Sequence, residues 1–465
     1  MSFTNLLFLF VFLPISVVAY YLFGGKARKY VLLLVSILFY AINCFDYLYA
    51  LIALMVMIII IARIISKASS VVLKRILLTV GILLCIVPLV MVKGSGIIGL
   101  DLDEFPLGIS YFTFKAVSYL VDTYRGTIVL SGFPINDLVY LSMFTHIQSG
   151  PISRYAEMEY VDGKLFENGE RQKLFVDGIY RFMIGFSKKI LLADTIGRIV
   201  TEVFETAYVD FTPAFAWLGV ICGGLQLYYD FSGYSDMAIG LTNVFGYRCE
   251  ENFIYPACTK SFSEFWRRWH VSLGNWFRDY IYFPLGGSRC KTQFRNYLNI
   301  FIVWLVTGLW HGFGSGFVFW GICWFAIISI EKITKLDKYF EGPILRCIYR
   351  ILILLFFFTS IIFFRSSNVI NGLSIITRMF VPGTRKLTNS RTLFLIKDNL
   401  FYLLIGIILM IPVIPMLEHK FCTDNHRNIK MVYDIVYGII VIGAFVLALA
   451  FVVAGQNNPF AYANF

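Results

Sequence analysis

Charge is what this chain has least of. Of its 465 residues only 15% are Asp, Glu, Lys or Arg, against 58% hydrophobic, whereas a soluble domain carries about 25% charged residues. The surplus apolar content comes in long runs, which excludes an ordinary soluble fold. Paired cysteines are missing too. The nine cysteines (Cys44, Cys85, Cys222, Cys249, Cys258, Cys290, Cys323, Cys347 and Cys422) form no C-x-x-C and no metal-ligand rhythm. They read as core thiols, not as a zinc site or a disulfide framework. No soluble-domain linker, low-complexity tract or convincing internal repeat interrupts the chain; without a repeat, the inverted-repeat transporter architecture loses its best pointer. A basic n-region and a small-residue cleavage site are also lacking at the start, so residues 5–23 read as a first membrane helix and not a removed signal.

What is present is hydrophobic sequence in lengths that suit a bilayer, roughly 20 residues per crossing. Such runs occur near 5–23, 30–43, 47–62, 75–92, 213–229, 292–309, 315–330, 345–364, 395–416 and 431–454. Shorter or more polar stretches at 105–121, 136–150 and 172–194 fit re-entrant, interfacial or buried helices. The expectation is an all-α polytopic membrane protein with about eleven crossings, one domain over residues 1–465. The net charge of +11 sits in short loops between apolar runs, which points to positive-inside topology and anionic headgroups rather than to nucleic acid. Lys26, Arg28 and Lys29 follow the first run, and Arg63, Lys67, Lys74 and Arg75 the third; Asp46 and Asp101, Asp103 and Glu104 lie between and beyond. That pattern puts the basic loops in the cytoplasm and both termini outside the cell membrane. Residues 365–397, rich in Arg and Lys, run against the bias.

Polar residues in such a chain mark function, because ionisable groups at membrane depth face a cavity or a partner. Two segments stand out: F-S-E-F-W-R-R-W-H-V-S-L-G-N-W-F-R-D-Y-I-Y-F-P-L-G-G at 262–287 and T-G-L-W-H-G at 307–312. Each places a histidine after a tryptophan, His270 after Trp269 and His311 after Trp310. A histidine titrating near neutrality can act as general base for a hydroxyl attacking an acyl group; a hydrogen-bonded packing role is the alternative. On a helix, His270 and Trp266 would share a face, as would Asn275 and Asp279. Arg267 and Arg278 suit the phosphates of an anionic donor, and Trp266, Trp269, Asn275 and Trp310 complete the candidate donor-binding group. The same arginines would also suit lipid phosphates. His146, at a helix end broken by Gly150-Pro151, suits a structural role. Asp230 and Asp236 either line a pore or satisfy buried partners. His419 and His426 sit in a polar loop and carry no chemistry. Gly94-Ser-Gly96-Ile-Ile-Gly99 satisfies G-x-G-x-x-G but follows a membrane run and precedes an acidic loop, so it reads as a turn and not a dinucleotide site.

The 265–287 motif, with G-L-W-H-G placing its histidine 41 positions after the first, resembles the membrane-bound O-acyltransferase superfamily. More narrowly it is similar to the bacterial branch that holds alginate O-acetylation membrane proteins. The likeness extends to F-P-L-G-I-S-Y-F-T-F at 105–114, G-P-I-S-R-Y at 150–155 and Y-D-F-S-G-Y-S-D-M-A-I-G at 229–240. It implies helices ringed around a funnel, with His311 in the place of the family's essential histidine and His270 in that of the second. It also implies acyl transfer across the membrane, from a cytoplasmic thioester to an acceptor outside. The tail at 458–465 fits F-x-Y-x-x-F through Phe460, Tyr462 and Phe465. In related systems such a tail supplies a tyrosine that carries the acyl group, which makes Tyr462 a third catalytic candidate.

The chemistry these residues suit is thioester-to-phenol transfer. A phenol's pKa of about 10 lies near a thiol's of about 8.5, so the exchange meets no steep penalty, and the aryl ester stays reactive. His311 would take the phenolic proton, and His270 with nearby donors would polarise the carbonyl. Acetyl-CoA is the expected donor, an acyl-carrier thioester the alternative; no permanently bound cofactor or metal is required. The expected partners are an extracytoplasmic serine hydrolase-like acetyltransferase, polysaccharide synthesis machinery and membrane lipids. D-alanyl transfer to teichoic acid is the runner-up, and a transporter or scaffold for polysaccharide modification the reading from another class.

Overall fold

Backbone polar groups within a bilayer have no water to bond, so a lipid-embedded chain folds as helix. The computed structural model describes residues 1–95, 106–161, 165, 167–206, 211–366, 368–382, 386–421 and 427–460. Among them extended pairing is limited to two isolated bridges, Tyr160–Tyr247 and Phe253–Trp269, and the rest of the ordered structure is helical. Among the described residues five helices are long and apolar enough to cross a membrane: Leu48–Lys67, Val71–Lys93, Ser315–Thr334, Pro343–Arg365 and Asn428–Val453. The run expected at 395–416 is broken into Leu400–Ile408 and Val413–Phe421, bent by 62°, and would make a sixth. The other runs form shorter or more polar helices. Outer helices expose large apolar side chains such as Leu83, Ile86, Val87 and Val90, the pattern of a lipid-facing surface.

The stretch at 105–121 becomes Ile109–Arg125, with 13 of 17 residues buried. That at 136–150 becomes Ile135–Ser142 and Phe144–Ile147. That at 172–194 becomes Gly169–Ser187, continued through a π-helical stretch, Lys188–Asp194, into Thr195–Glu205. These pack around Pro213–Val244, whose 32 residues span about 48 Å. Twenty-five of them are buried, so this helix is enclosed on all sides.

Glycine lets the central helix be approached so closely. A Cβ on Gly178 would lie 2.6 Å from the Gly240 carbonyl oxygen, and one on Gly240 2.6 Å from that of Gly178. Two turns along, Gly185 and Gly233 repeat the contact at 2.5 and 2.8 Å. The reversed order makes the crossing antiparallel, with small residues admitting backbone-to-backbone contact. One turn further the same pair of helices brings Lys189 against Asp230.

At one end of the bundle the basic loops converge, Lys29 donating to Asn136 (2.8 Å) and Arg63 pairing with Asp137 (2.8 Å). In the 365–397 segment, Arg365 bonds Gln226 (2.5 Å) and Arg391 pairs with Glu202 (2.7 Å).

Candidate active site

His311 is the last residue of Gln293–His311, and Gly312-Phe313-Gly314 turns the chain into Ser315–Thr334. The two helices touch at backbone distance: a Cβ on Gly321 would lie 2.5 Å from the Trp304 carbonyl, one on Gly308 2.7 Å from that of Phe317. The imidazole is thereby held in an aromatic wall, its ring centre 4.5 Å from Trp310, 4.7 Å from Phe364 and 5.3 Å from Trp320.

His270 arrives by a different route, and here the helical expectation is corrected. Trp266 and His270 do not share one helix face. Phe262–Phe265 ends at Trp266, and Val271–Phe277 begins after His270. Between them the chain pairs with residues 252–254: Ile254 N–H donates to Arg268 O (2.9 Å) and Val271 N–H to Asn252 O (3.0 Å). His270 sits in the left-handed region at φ +47°, a conformation that costs a non-glycine residue about 1–3 kcal/mol. Upstream, the buried Glu331 carboxylate fixes the start of the segment, accepting from Phe262 N (2.7 Å), Ser263 N (3.0 Å), Ser263 Oγ (3.1 Å) and Tyr349 Oη (2.6 Å). Asn275 and Asp279 lie in consecutive stretches of one continuous helical run, Asn275 in Val271–Phe277 and Asp279 in the π-helical Arg278–Tyr282.

The hydrogen bonds of Asn252 assign the tautomer of His270. Asn252 is fully buried, and its Oδ1 lies 3.2 Å from the Ser272 backbone N–H, an obligatory donor. The oxygen is therefore the atom facing that way, and it also accepts from Ser272 Oγ (2.9 Å). Its Nδ2 donates to Ser235 Oγ (3.0 Å). His270 Nδ1, 3.1 Å from the same oxygen, must carry the proton it donates there. Nε2 is left with its lone pair, and no hydrogen-bond partner reaches it among the described residues.

Both imidazoles line one buried cavity of about 20 Å³, together with Trp266, Trp269, Trp320 and Phe364. That is room for one water-sized group. A larger open groove, about 630 Å³, lies between Tyr180 of Gly169–Ser187 and Lys430 and Asp434 of Arg427–Val453, and neither His270 nor His311 lines it.

Of the candidate donor-binding residues, Trp266 and Trp269 line the cavity. Trp310 is buried beside His311 and packs on Phe114 at 5.3 Å. Arg267 is exposed and Asn275 half-buried. Arg278 is exposed and paired with Asp279 (2.8 Å), which also pairs with Arg154 (2.6 Å). Tyr462 lies outside the described residues, as do Gly96, Gly99 and His426. His146 Nε2 bonds Thr242 Oγ1 at 3.0 Å, and His419 lies on the exposed face of Val413–Phe421. Asp236 is held by Arg181 (3.0 Å) and Lys188 (2.6 Å), Asp230 by Lys189 (2.5 Å). Sequence reasoning missed Asn252, which nothing in its neighbourhood distinguishes. It missed Glu331 as well, although a carboxylate near the end of an apolar run was a signal.

The sequence profile of MBOAT, the membrane-bound O-acyltransferase family, matches residues 106–376, which hold both histidines and the cavity. The chain is 34% identical to the probable alginate O-acetylase AlgI of Pseudomonas aeruginosa over 408 residues, covering 83% of this chain and 76% of that one. It is 27% identical over 423 residues to a peptidoglycan O-acetyltransferase of Helicobacter pylori (81% and 79% covered). To a teichoic acid D-alanyltransferase of Bacillus subtilis it is 30% identical over 230 residues (46% and 56% covered). With this profile match and these relatives, the chain is an O-acyltransferase and belongs to the membrane-bound O-acyltransferase family.

Proposed function

We propose that this protein moves acetyl groups across the cytoplasmic membrane, from acetyl-CoA inside to a polysaccharide-modifying partner outside. The observation that carries the reading is the shared cavity: two histidines from separate segments face one small aromatic chamber within a membrane domain. A thioester entering beside Trp266 and Trp269 would present its carbonyl to this chamber, with Arg267 and Arg278 available to the donor's phosphates. The Tyr462 hydroxyl attacks the carbonyl carbon as His311 takes its proton; the C–S bond breaks, an aryl ester forms, and the thiolate leaves. The tautomer of His270 sharpens its part. With Nδ1–H committed to Asn252, Nε2 enters the chamber as an acceptor, so His270 donates to the developing oxyanion or the departing sulfur only after taking a proton.

The ester on Tyr462 then passes its acetyl to the serine of an extracytoplasmic hydrolase-like transferase, restoring the phenol. Both termini lie outside in this scheme, in keeping with the basic loops gathered at the opposite, cytoplasmic end. The small chamber favours acetyl over long acyl chains. Likeness to a D-alanyltransferase supports a second reading, in which the donor is a D-alanyl carrier thioester. Mass spectrometry of the C-terminal peptide after incubation with isotope-labelled acetyl-CoA separates them. Label on Tyr462 in the parent protein and none in His311→Ala is the expected result; no label in either overturns the acetyl relay.

A further inference from the structure

The groove between Gly169–Ser187 and Arg427–Val453 changes character along its length. Asn428, Lys430 and Asp434 line one end, and Ile435, Ile439 and Ile442 the other, with Tyr180 across from them. It shares no lining residue with the histidine cavity. Gly438 makes room for the tyrosine, since a Cβ there would lie 3.2 Å from Tyr180 Oη. The two helices run parallel: Gly438 faces Tyr180, and further along both, Phe445 meets Phe186 with ring centres 5.1 Å apart. The polar end therefore lies at the Gly169 end of the bundle, where Arg171 and Arg28 both approach the Tyr21 ring (5.5 and 5.4 Å).

Depth in the bilayer follows from helix length. Asn428–Val453 has 26 residues, about 39 Å of helix against about 30 Å of hydrocarbon core, so its first residues stand among headgroups. From Lys430 to Ile442 the rise is about 18 Å. That suits one headgroup and the acyl chain of one leaflet, half the core being about 15 Å. The apolar stretch is open to lipid, Ile435, Ile439 and Ile442 being 53%, 65% and 49% exposed. The volume of about 630 Å³ falls within the range of about 300–1,000 Å³ typical of ligand sites. At the headgroup end Lys430 and Asp434 are exposed, one turn apart, and neither forms an ion pair with a described residue. Side chains lean toward the N-terminus of a helix, here the headgroup side, so both charges reach that layer. A cation and an anion side by side match a headgroup that carries phosphate and ammonium together. An anionic headgroup would set like charge against the Asp434 carboxylate.

We propose that this groove binds one zwitterionic phospholipid of that leaflet, its phosphate on Lys430, its ammonium on Asp434 and an acyl chain along Ile435, Ile439 and Ile442. The test uses the full-length protein in detergent, given phosphatidylethanolamine or phosphatidylglycerol with identical acyl chains. Native mass spectrometry counts the lipid retained per chain, and thermal melts read the stabilisation that binding brings. The parent retains one ethanolamine lipid in preference to the glycerol lipid by about fivefold or more, the worth of one charge contact near a membrane surface. Lys430→Ala weakens retention of both by about fivefold. Asp434→Lys reverses the preference. Ile439→Trp fills the groove at a position exposed enough to leave the fold intact, and lowers retention of either lipid. Equal retention of the two lipids by the parent, or a preference that Asp434→Lys leaves as it was, overturns the headgroup assignment. Retention that Ile439→Trp does not lower reveals loosely held annular lipid only and overturns the site.

Discussion

Asn252→Leu removes a side chain of similar size and everything it bonds. Its Oδ1 accepts from His270 Nδ1 at 3.1 Å, Ser272 Oγ at 2.9 Å and Ser272 N at 3.2 Å, and its Nδ2 donates to Ser235 Oγ at 3.0 Å. A buried donor left without an acceptor costs about 1–3 kcal/mol. Part of this is recovered because Ser272 Oγ already lies 3.5 Å from His270 Nδ1 and its hydroxyl can turn. The net loss of stability is about 2–4 kcal/mol. The larger effect is on chemistry. With no fixed acceptor at Nδ1 the proton can move to Nε2, and the ring is no longer held; loosened positioning of this kind costs about 10²-fold. The drop should appear in kcat for thioester consumption, with KM for the donor nearly unchanged, since Asn252 is not among the cavity-lining residues. Asn252→Asp is the control. A carboxylate still accepts from His270 and Ser272, and the Ser235 hydroxyl can rotate to donate, so activity should stay within about tenfold of the parent. The assay follows thiol release and Tyr462 labelling on material that elutes as a single folded species. A folded Asn252→Leu protein with the parent kcat, or an Asp variant as impaired as the Leu one, refutes the assignment of the tautomer.

The cavity's size predicts acyl selectivity: Leu227→Ala or Ile361→Ala enlarges the lining and should raise turnover of propionyl- relative to acetyl-CoA by about tenfold, the scale set by one methylene, measured in direct competition. Gly240→Leu drives a side chain into the Gly178 carbonyl, 2.6 Å from its Cβ, and should destabilise by at least about 1–3 kcal/mol. Gly223→Ala, with nothing within 4 Å of the new methyl, should be neutral or stabilising by about 0.5–1 kcal/mol; thermal melts in detergent compare the two. Glu331→Ala leaves Tyr349, Ser263 and the 262–263 amides without their acceptor. It should cost about 2 kcal/mol or more and lower acyl transfer with it, because that carboxylate fixes the start of the segment leading to His270.

The helical class and the histidine pair were legible in the sequence for physical reasons. Apolar runs of bilayer length have one stable backbone conformation in lipid, and an ionisable histidine in or beside such a run faces a cavity or a partner, although a packing role stayed open until the fold set both histidines on one cavity. What escaped was whatever depends on chain segments meeting. Nothing in the 266–270 stretch, Trp-Arg-Arg-Trp-His, breaks a helix, so a helix face was the natural expectation. The backbone of residues 252–254, distant in sequence, pulls it into an extended pairing and turns His270 left-handed. Asn252 is one asparagine in a polar stretch and becomes informative only once its oxygen is seen against Nδ1. The run at 395–416 read as one crossing because hydropathy registers composition and not the 62° bend between Leu400–Ile408 and Val413–Phe421.

Asp230 shows why the same limit applied to the carboxylate pair. From sequence it and Asp236 were equivalent acids on one helix, open to either a pore or a structural reading. In the fold they answer to different partners. Asp236 is closed off by Arg181 and Lys188, two cations around one carboxylate. Asp230 shares a single lysine with Asp194, and the cluster meets the backbone of residues 458 and 459. The first arrangement is self-sufficient; the second uses a segment from the far end of the chain. A buried charge cluster that takes part of its hydrogen bonding from a distant segment couples its own integrity to the presence of that segment. Asp230 also stands three residues from Leu227 in the wall of the histidine cavity. The cluster that meets residues 458 and 459 and the wall of the histidine cavity thus lie on one helix, three residues apart at Asp230 and Leu227.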